Sequence, residues 1–464
     1  MSAEFSARSV RHTEGVGPVR ALQRVLYRVA KSDRGRRFHA VFGQVARSDV
    51  LWQAWSDVAR NHGAPGVDGM TVEAVEASGV NEFLDRLAQG LRTGVYRCQP
   101  LRRVMIPKPG RPGEFRPLGI PTVRDRVVMC AAKIVLERVF EADFLPVSHG
   151  FRPGRSAHDA LEVIRGEVNR GRRWVLDADV RDCFGSIDHD ALMRLVEARV
   201  SDRAMLKLLR AWLRAGVLEP GGFVPTGRGT PQGSPISPLL ANIALHTLDV
   251  EFDGRRSELG VLVRYADDFV VVCSSRRQAL RAQQRAEEVL GRIGLVIHPD
   301  KTGIRDLARG RDGFDFLGFH HRMRESPRRP GRFYLNRWPS TKAMARIRQR
   351  IRELTTRGLA GAPIEWVVER LNLTLRGWGN YFRWGNSNRK FHDIDSYVHW
   401  RLAKLASVKH GQSGRGWAGR YDHAWIDRLG VHQLTGTVRM PHDEQPRGAG
   451  CGRTASPVRR EGAR

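Results

Sequence analysis

With 464 residues the chain exceeds one ordinary domain, and roughly two to four are expected. Its 78 Lys and Arg outnumber its 49 Asp and Glu, a net charge of +29 spread along the chain, which points to a polyanionic partner, nucleic acid first. No apolar run approaches the ~18 residues of a membrane span, and Cys98, Cys130, Cys183, Cys273 and Cys451 are scattered without a C-x-x-C pair, which argues against a zinc ribbon or a disulfide framework and fits a reducing cytosol.

Residues 1–18 are polar and expected to be disordered, and Glu4, Arg8 and Arg11 interrupt any signal-peptide core. Leu22, Val25, Leu26 and Val29 have helical spacing, with Arg20, Arg24 and Arg28 on the other face. Val41 to Ala59 reads as one further amphipathic helix. Ala64 to Gly69 is a turn-rich loop. Arg103 to Gly110 and Glu114 to Ile120 read as two strands around a Pro/Gly hairpin, with Lys108 and Arg116 placed to face one groove. Arg124 to Phe140 is a long helix, Ser148 to Ser156 a loop, and His158 to Val168 a helix.

Trp174-Val175-Leu176 is an apolar strand that runs into Asp177-Ala178-Asp179-Val180-Arg181-Asp182-Cys183-Phe184. Asp188 or Asp190 then caps a helix with Leu192, Leu195 and Val196 on its apolar face. Gly229-Thr230-Pro231-Gln232-Gly233 is a turn, and Leu239 to Leu248 and Ala279 to Ile293 are helices. Between the latter two, Val261-Leu262-Val263 and Val270-Val271-Val272-Cys273 flank Arg264-Tyr265-Ala266-Asp267-Asp268-Phe269. This is a hairpin with two adjacent carboxylates at its tip. A solvated Asp-Asp turn is the plain alternative. Against it, acids set on strands this apolar are costly unless a cation compensates. Two strands ending in Asp suit a pair of Mg²⁺ ions about 4 Å apart, one activating a hydroxyl and one holding a leaving phosphate.

The Tyr-Ala-Asp-Asp hairpin after an Asp-bearing strand resembles the palm of a reverse transcriptase. Arg116-Pro117-Leu118-Gly119-Ile120-Pro121, Gly150 to Ser156, Thr230 to Pro238, His298-Pro299-Asp300-Lys301-Thr302 and Phe316-Leu317-Gly318-Phe319 fall in the order of the group II intron reverse transcriptase/maturase family. The likeness runs from about Ala64 to about Trp400. It implies an α+β right-hand polymerase, fingers and palm on antiparallel sheet, followed by an α-helical thumb/maturase domain. The implied divisions are 1–60 (helical extension), 61–325 (fingers and palm), 326–407 (thumb/maturase), 408–443 (a small DNA-binding region) and 444–464 (a disordered basic tail). Asp179, Asp267, Asp268 and the Val180 carbonyl would hold two Mg²⁺. Lys108, Arg116, Phe184 and Gln232 would bind the incoming dNTP, Phe184 excluding a 2′-hydroxyl. Lys301 would protonate the leaving pyrophosphate. One departure is Gly185, where the family usually has Asp.

Beyond Gly318, Pro327 to Arg332 reads as a basic loop, and Ser340 caps a helix carrying Met344, Ile347, Ile351 and Leu354. Glu365 to Leu375 and Lys390 to Leu405 are helices, separated by Arg376-Gly377-Trp378-Gly379-Asn380-Tyr381-Phe382-Arg383-Trp384. Arg376, Trp378, Tyr381 and Arg383 there suit stacking on unpaired bases as well as filling a bundle core. Trp417 to Leu434 reads as a small helical region, and the tail offers one Cys and no C-x-x-C pair, so no C-terminal nuclease domain is expected. The resemblance implies group II intron RNA and target DNA as partners, no membrane, and a cytoplasmic ribonucleoprotein associated with the nucleoid. A homodimer is left open. Two other functions also stay open: a splicing factor with an idle polymerase, and a reverse transcriptase recruited to host defence or diversification.

Overall fold

The computed structural model describes residues 17–107, 113–410 and 420–439. Its strands are β1 Leu101–Pro107, β2 Phe115–Ile120, β3 Trp174–Arg181, β4 Val217–Glu219, β5 Gly222–Val224, β6 Val261–Tyr265, β7 Asp268–Cys273, β8 Val296–Ile297, β9 Gly303–Asp306, β10 Gly313–Phe316, β11 Phe319–Ser326 and β12 Arg329–Pro339. They form three sheets. The first has the order β2-β1-β4-β5, antiparallel except where β4 joins β1 in parallel. The second has the order β6-β7-β3-β8, with β9 also on β3, all antiparallel. The third is the antiparallel β10-β11-β12.

The second sheet is central because both its faces are covered. Side chains alternate along a strand. Leu176, Ala178, Val180, Leu262, Phe269 and Val271 therefore enter one core, packed with the helices Ser48–Ala59, Val123–Glu141, Ser237–Gly254 and Arg276–Gly291. Val175, Val263, Val270 and Val272 enter a second core with the helices Ala157–Asn169, Thr341–Leu354, Ile364–Phe382 and Asn388–Lys409. This is why β6 and β7 read as unbroken apolar runs rather than as alternating ones. The result is a mixed α and β chain whose C-terminal part is helical.

Several helix starts follow the capping chemistry in the sequence. Ser156 and Asp159 form a reciprocal capping box, Asp188 rather than Asp190 caps His189–Glu197, and Ser340 caps Thr341–Leu354. Three expectations are corrected. The single helix over Val41 to Ala59 is two, Phe42–Val45 and Ser48–Ala59, broken at Ala46–Arg47. The basic loop at Pro327 is the turn of the long β11–β12 hairpin, so a third sheet stands where a loop was expected. The helix expected to end at Leu375 continues to Phe382 through Gly377 and Gly379. Gly379 is tolerated there because Leu434 packs against it: a Cβ would lie 2.6 Å from Leu434 Cδ2. The segment 420–439 docks on the same helices, with the His432 N–H donating to Asn372 and the Leu434 N–H to Asp395. The expected disordered ends and Lys108 lie outside the described residues. No helix among the described residues is long and apolar enough to cross a membrane.

Phe391 is fully buried in the second core against Trp378, ring centroids 5.6 Å apart. Phe391→Ala should lower stability by about 3–5 kcal/mol in urea unfolding. A loss under about 1 kcal/mol would mean that the helical core closes over the gap.

Candidate active site

β6 and β7 pair from Val261↔Val272 to Tyr265↔Asp268, which leaves Ala266 and Asp267 as a two-residue turn. Ala266 has φ of 58°, the left-handed region that such tight hairpins demand and that usually selects Gly or Asn. In the β3–β7 register Asp268 stands directly opposite Asp179. Directly opposed residues share a face, and like charges so placed repel. Asp177, two residues back on β3, lies on that face too.

The electrostatics follow. The Asp268 carboxyl lies on an exposed residue at the start of β7, opposite Asp179. Dehydration first, then Asp267 and Asp179, raise it to about 7. Dehydration and Asp179 also raise Asp267, opposed by Arg116 and Lys301. Asp177 rises to about 7, chiefly by burial and further by Asp315 and Asp179, against the pull of Arg305. The Lys301 ammonium contacts Asp179 Oδ2 from the short turn Pro299–Lys301, which is seated by a 2.8 Å bond from the His298 N–H to the Asp179 carbonyl. Among the described residues no three His, Cys, Asp or Glu side chains converge closely enough to hold a metal ion as they stand. Asp179 and Asp268 come together, Asp267 is next to them on the turn, and Lys301 is the cation that the site now contains. Val180 is buried and pairs with Ile297, so only its backbone is available.

The other expected residues converge unequally. Arg116 lies exposed on β2 and its charge acts on Asp267. Lys108 is outside the described residues. The loop bearing Gln232 joins β2 to the short helix Cys183–Ser186 that follows β3: the Gly119 N–H donates to the Gln232 carbonyl at 2.8 Å, and the Thr230 N–H to the Phe184 carbonyl at 2.6 Å. The Gln232 amide reaches Asp182 Oδ1 at 3.5 Å. Phe184 is half-buried and meets the exposed ring of Phe151 edge-on at 6.5 Å. The departure at Gly185 has a local cause: a Cβ there would fall 2.2 Å from the Asp182 carboxylate, which is held by a left-handed backbone.

Sequence reading missed the residues beneath the turn. Arg264 is completely buried on the face opposite the carboxylates. Its Nε and Nη2 donate to the two Asp249 oxygens at 2.7 and 2.5 Å. Nη2 also donates to Ser148 Oγ at 2.7 Å, and Nη1 donates to Asn242 Oδ1 at 3.0 Å and to the Ala266 carbonyl at 2.9 Å. Burial pushes the Asp249 carboxyl up, but Arg264 overrides it and holds it below the usual carboxylate range. The available signal was an Arg inside the apolar run Val-Leu-Val-Arg, which a strand buried on both faces accepts only with a partner.

The candidate RNA contacts are divided. Trp378 and Tyr381 are half-buried and engaged with other rings, Trp378 with Phe382 and Phe391, Tyr381 with His158 and Phe319. The Tyr381 hydroxyl donates to the Leu317 carbonyl at 2.8 Å. Both therefore fill the core, one of the two uses expected of them. Arg383 covers Trp384, and Arg376 is exposed.

Two family descriptions match the chain: "Reverse transcriptase (RNA-dependent DNA polymerase)" over residues 106–321 and "Group II intron, maturase-specific domain" over 344–425. The group II intron-encoded protein LtrA of Lactococcus lactis subsp. cremoris is 34% identical over 278 residues, 57% of this chain and 46% of that protein. The chain thus spans about half the length of that curated relative. Protein YkfC of Escherichia coli (strain K12) is 33% identical over 341 residues, 65% of this chain and 87% of YkfC. Among solved structures, a chain of the partial Cas6-RT-Cas1–Cas2 complex is similar at 24% identity and a TM-score of 0.34, over 53% of this chain and 40% of that one. The chain belongs to the group II intron reverse transcriptase/maturase family.

Proposed function

We propose that the chain is an RNA-directed DNA polymerase that also binds group II intron RNA, assists its splicing and copies it into DNA at a target site. The observation that carries this reading is the register that sets Asp179 against Asp268, with Asp267 on the adjoining turn. On this reading the β1–β2 sheet forms the fingers, the central sheet the palm and the C-terminal helices the thumb.

The donor set fits a divalent cation. It is all oxygen, as Mg²⁺ requires, and burial together with neighbouring carboxylates pushes the Asp267 and Asp268 carboxyls upward. Asp179, Asp267 and Asp268, with the Val180 carbonyl, would hold two Mg²⁺. When bound, Mg²⁺ activates the primer hydroxyl and neutralises the leaving group. The primer 3′-hydroxyl oxygen attacks the α-phosphorus of the dNTP in line, the bond to pyrophosphate breaks, and the hydroxyl proton is lost to solvent. Arg116 offers a planar fork to the triphosphate, and Lys108 is the second cation expected to bind it. Gln232 steadies the nucleotide or its template base. Phe184 leaves no room for a 2′-hydroxyl and no polar group to receive it. Lys301, which contacts Asp179, would give a proton to the leaving pyrophosphate. Arg376 and Arg383 contribute to the RNA surface of the helical domain.

Asp267→Asn or Asp268→Asn should abolish primer extension on an RNA template while RNA binding persists. Undiminished extension by either purified variant would sink the assignment. Phe184→Val should raise ribonucleotide incorporation, read as the ratio of kcat/KM for dNTP and rNTP. An unchanged ratio would put the steric gate elsewhere.

A further outcome concerns pH. An acid whose folded pKa is raised to about 7 loses its stabilising contribution as pH climbs from about 4 to 7, because the folded state binds the proton more tightly there. A cation relieves that loss. Added Mg²⁺ should therefore raise the melting temperature more at about pH 8 than at about pH 5.5, and Asp268→Asn should shrink the difference. Equal shifts at both pH values would separate Asp268 from the cation site.

A further inference from the structure

We infer that Arg264 is a positioning residue for nucleotidyl transfer, fixing the Ala266–Asp267 turn and with it the two carboxylates of the hairpin. This inference rests on the polymerase reading. Arg264 cannot touch nucleotide or metal: it is completely buried and points away from the carboxylate face. Its effect must pass through the backbone.

The donor count shows how. A guanidinium has five N–H groups. The five contacts of Arg264, two to Asp249 and one each to Asn242, Ser148 and the Ala266 carbonyl, account for all of them. The fork to Asp249 compensates the buried charge. That part is structural, and an apolar pair of similar volume could replace it at little cost. The bond to Ala266 is different. It lands on the one residue of the turn held at positive φ, a conformation that an L-residue with a Cβ adopts only under constraint. It also satisfies a carbonyl within the hairpin tip, next to Asp267.

A second grip closes on the same turn from the side. The Arg264 N–H donates to the Val147 carbonyl and the His149 N–H to the Arg264 carbonyl, both at 2.8 Å, so the loop before Gly150 runs alongside β6. Asn242, which accepts from Arg264, donates to the Gly150 carbonyl at 2.9 Å. Gly150 then lies so close to the turn that a Cβ on it would fall 2.3 Å from the Ala266 nitrogen and 2.9 Å from the Tyr265 carbonyl carbon. One guanidinium thus ties the helix Ser237–Gly254, the 147–150 loop and the catalytic turn into a single arrangement. A Lys has three N–H groups and no planar fork, and cannot reproduce this.

The test uses the full-length protein and primer extension on an RNA template, with kcat, dNTP KM, half-saturating Mg²⁺, melting temperature and RNA affinity measured for each variant. The paired variant Arg264→Met with Asp249→Leu removes both buried charges together, so folding and RNA affinity should survive. Its kcat should fall about 30-fold or more, as displacement of reacting groups by an ångström does, with dNTP KM nearly unchanged and a higher Mg²⁺ requirement. Ala266→Gly takes the left-handed turn without strain. Adding it should restore roughly tenfold of the lost kcat, because the turn then needs less holding. Arg264→Lys keeps a cation beside Asp249 and serves if the pair fails to fold; its smaller kcat loss should also be relieved by Ala266→Gly. Wild-type kcat and Mg²⁺ dependence in a folded variant would overturn the inference. So would a loss of activity that tracks melting temperature and RNA affinity and that Ala266→Gly leaves unmoved, since that pattern means a structural role only. An inactive wild-type chain would instead refute the polymerase reading, and this inference with it.

Discussion

The molecule depends on one buried ion pair. Arg264 and Asp249 are both completely excluded from solvent, and neither would be tolerated there alone. Together they form a neutral, forked unit inside an apolar core. The remaining guanidinium protons then serve three neighbours that would otherwise need water. The carboxylate hairpin, the loop at Gly150 and the helix that carries Asn242 are thereby fixed relative to one another.

That rigidity matters because the opposite face of the sheet is electrostatically unfavourable. Asp177, Asp179 and Asp268 share it, with Asp267 beside them, and cross-strand like charges favour fraying of the hairpin tip. The repulsion is concentrated at the hairpin tip, and neighbouring parts of the fold oppose it. Lys301 meets Asp179 from one side and the charge of Arg116 acts from another, so the site is poised between self-repulsion and partial neutralisation.

The helical domain is joined to the sheets by an aromatic seam. Phe319 on β11 packs on Tyr381 and Phe382, and His158 meets Phe319, Tyr381 and Trp384. Arg337 crosses the same seam, donating to Glu162 at 2.6 Å and to the Trp384 carbonyl at 2.7 Å, its guanidinium 5.6 Å from the Phe319 ring. Apolar area and a paired charge together hold the C-terminal helices against the third sheet and the helix Ala157–Asn169. The rings at Trp378 and Tyr381 are committed to this seam, which leaves exposed residues such as Arg376 as the part of that segment free to meet solvent.

The sequence by itself determined the local elements and the chemistry they carry. Apolar runs marked β3, β6 and β7, capping residues marked helix starts, and the Asp positions followed from the strand ends, because these signals are encoded within a few neighbouring residues. The ordered motifs were enough to identify the family. Pairing was not legible. Nothing local says that Asp268 lies opposite Asp179, or that the Gln232 loop hydrogen-bonds to both Gly119 and Phe184, since partners far apart in sequence are chosen by packing of whole faces. The basic segment at Pro327 looked like a loop because Pro, Gly and Arg dominate it, yet the tertiary structure made it the turn of a hairpin. The helix ran on through Gly377 and Gly379, and at Gly379 Leu434 fills the space a side chain would have taken. Arg264 was in plain view beside the Tyr-Ala-Asp-Asp motif, but its partners lie up to 116 residues away, and only the fold brought Ser148, Asn242 and Asp249 around it.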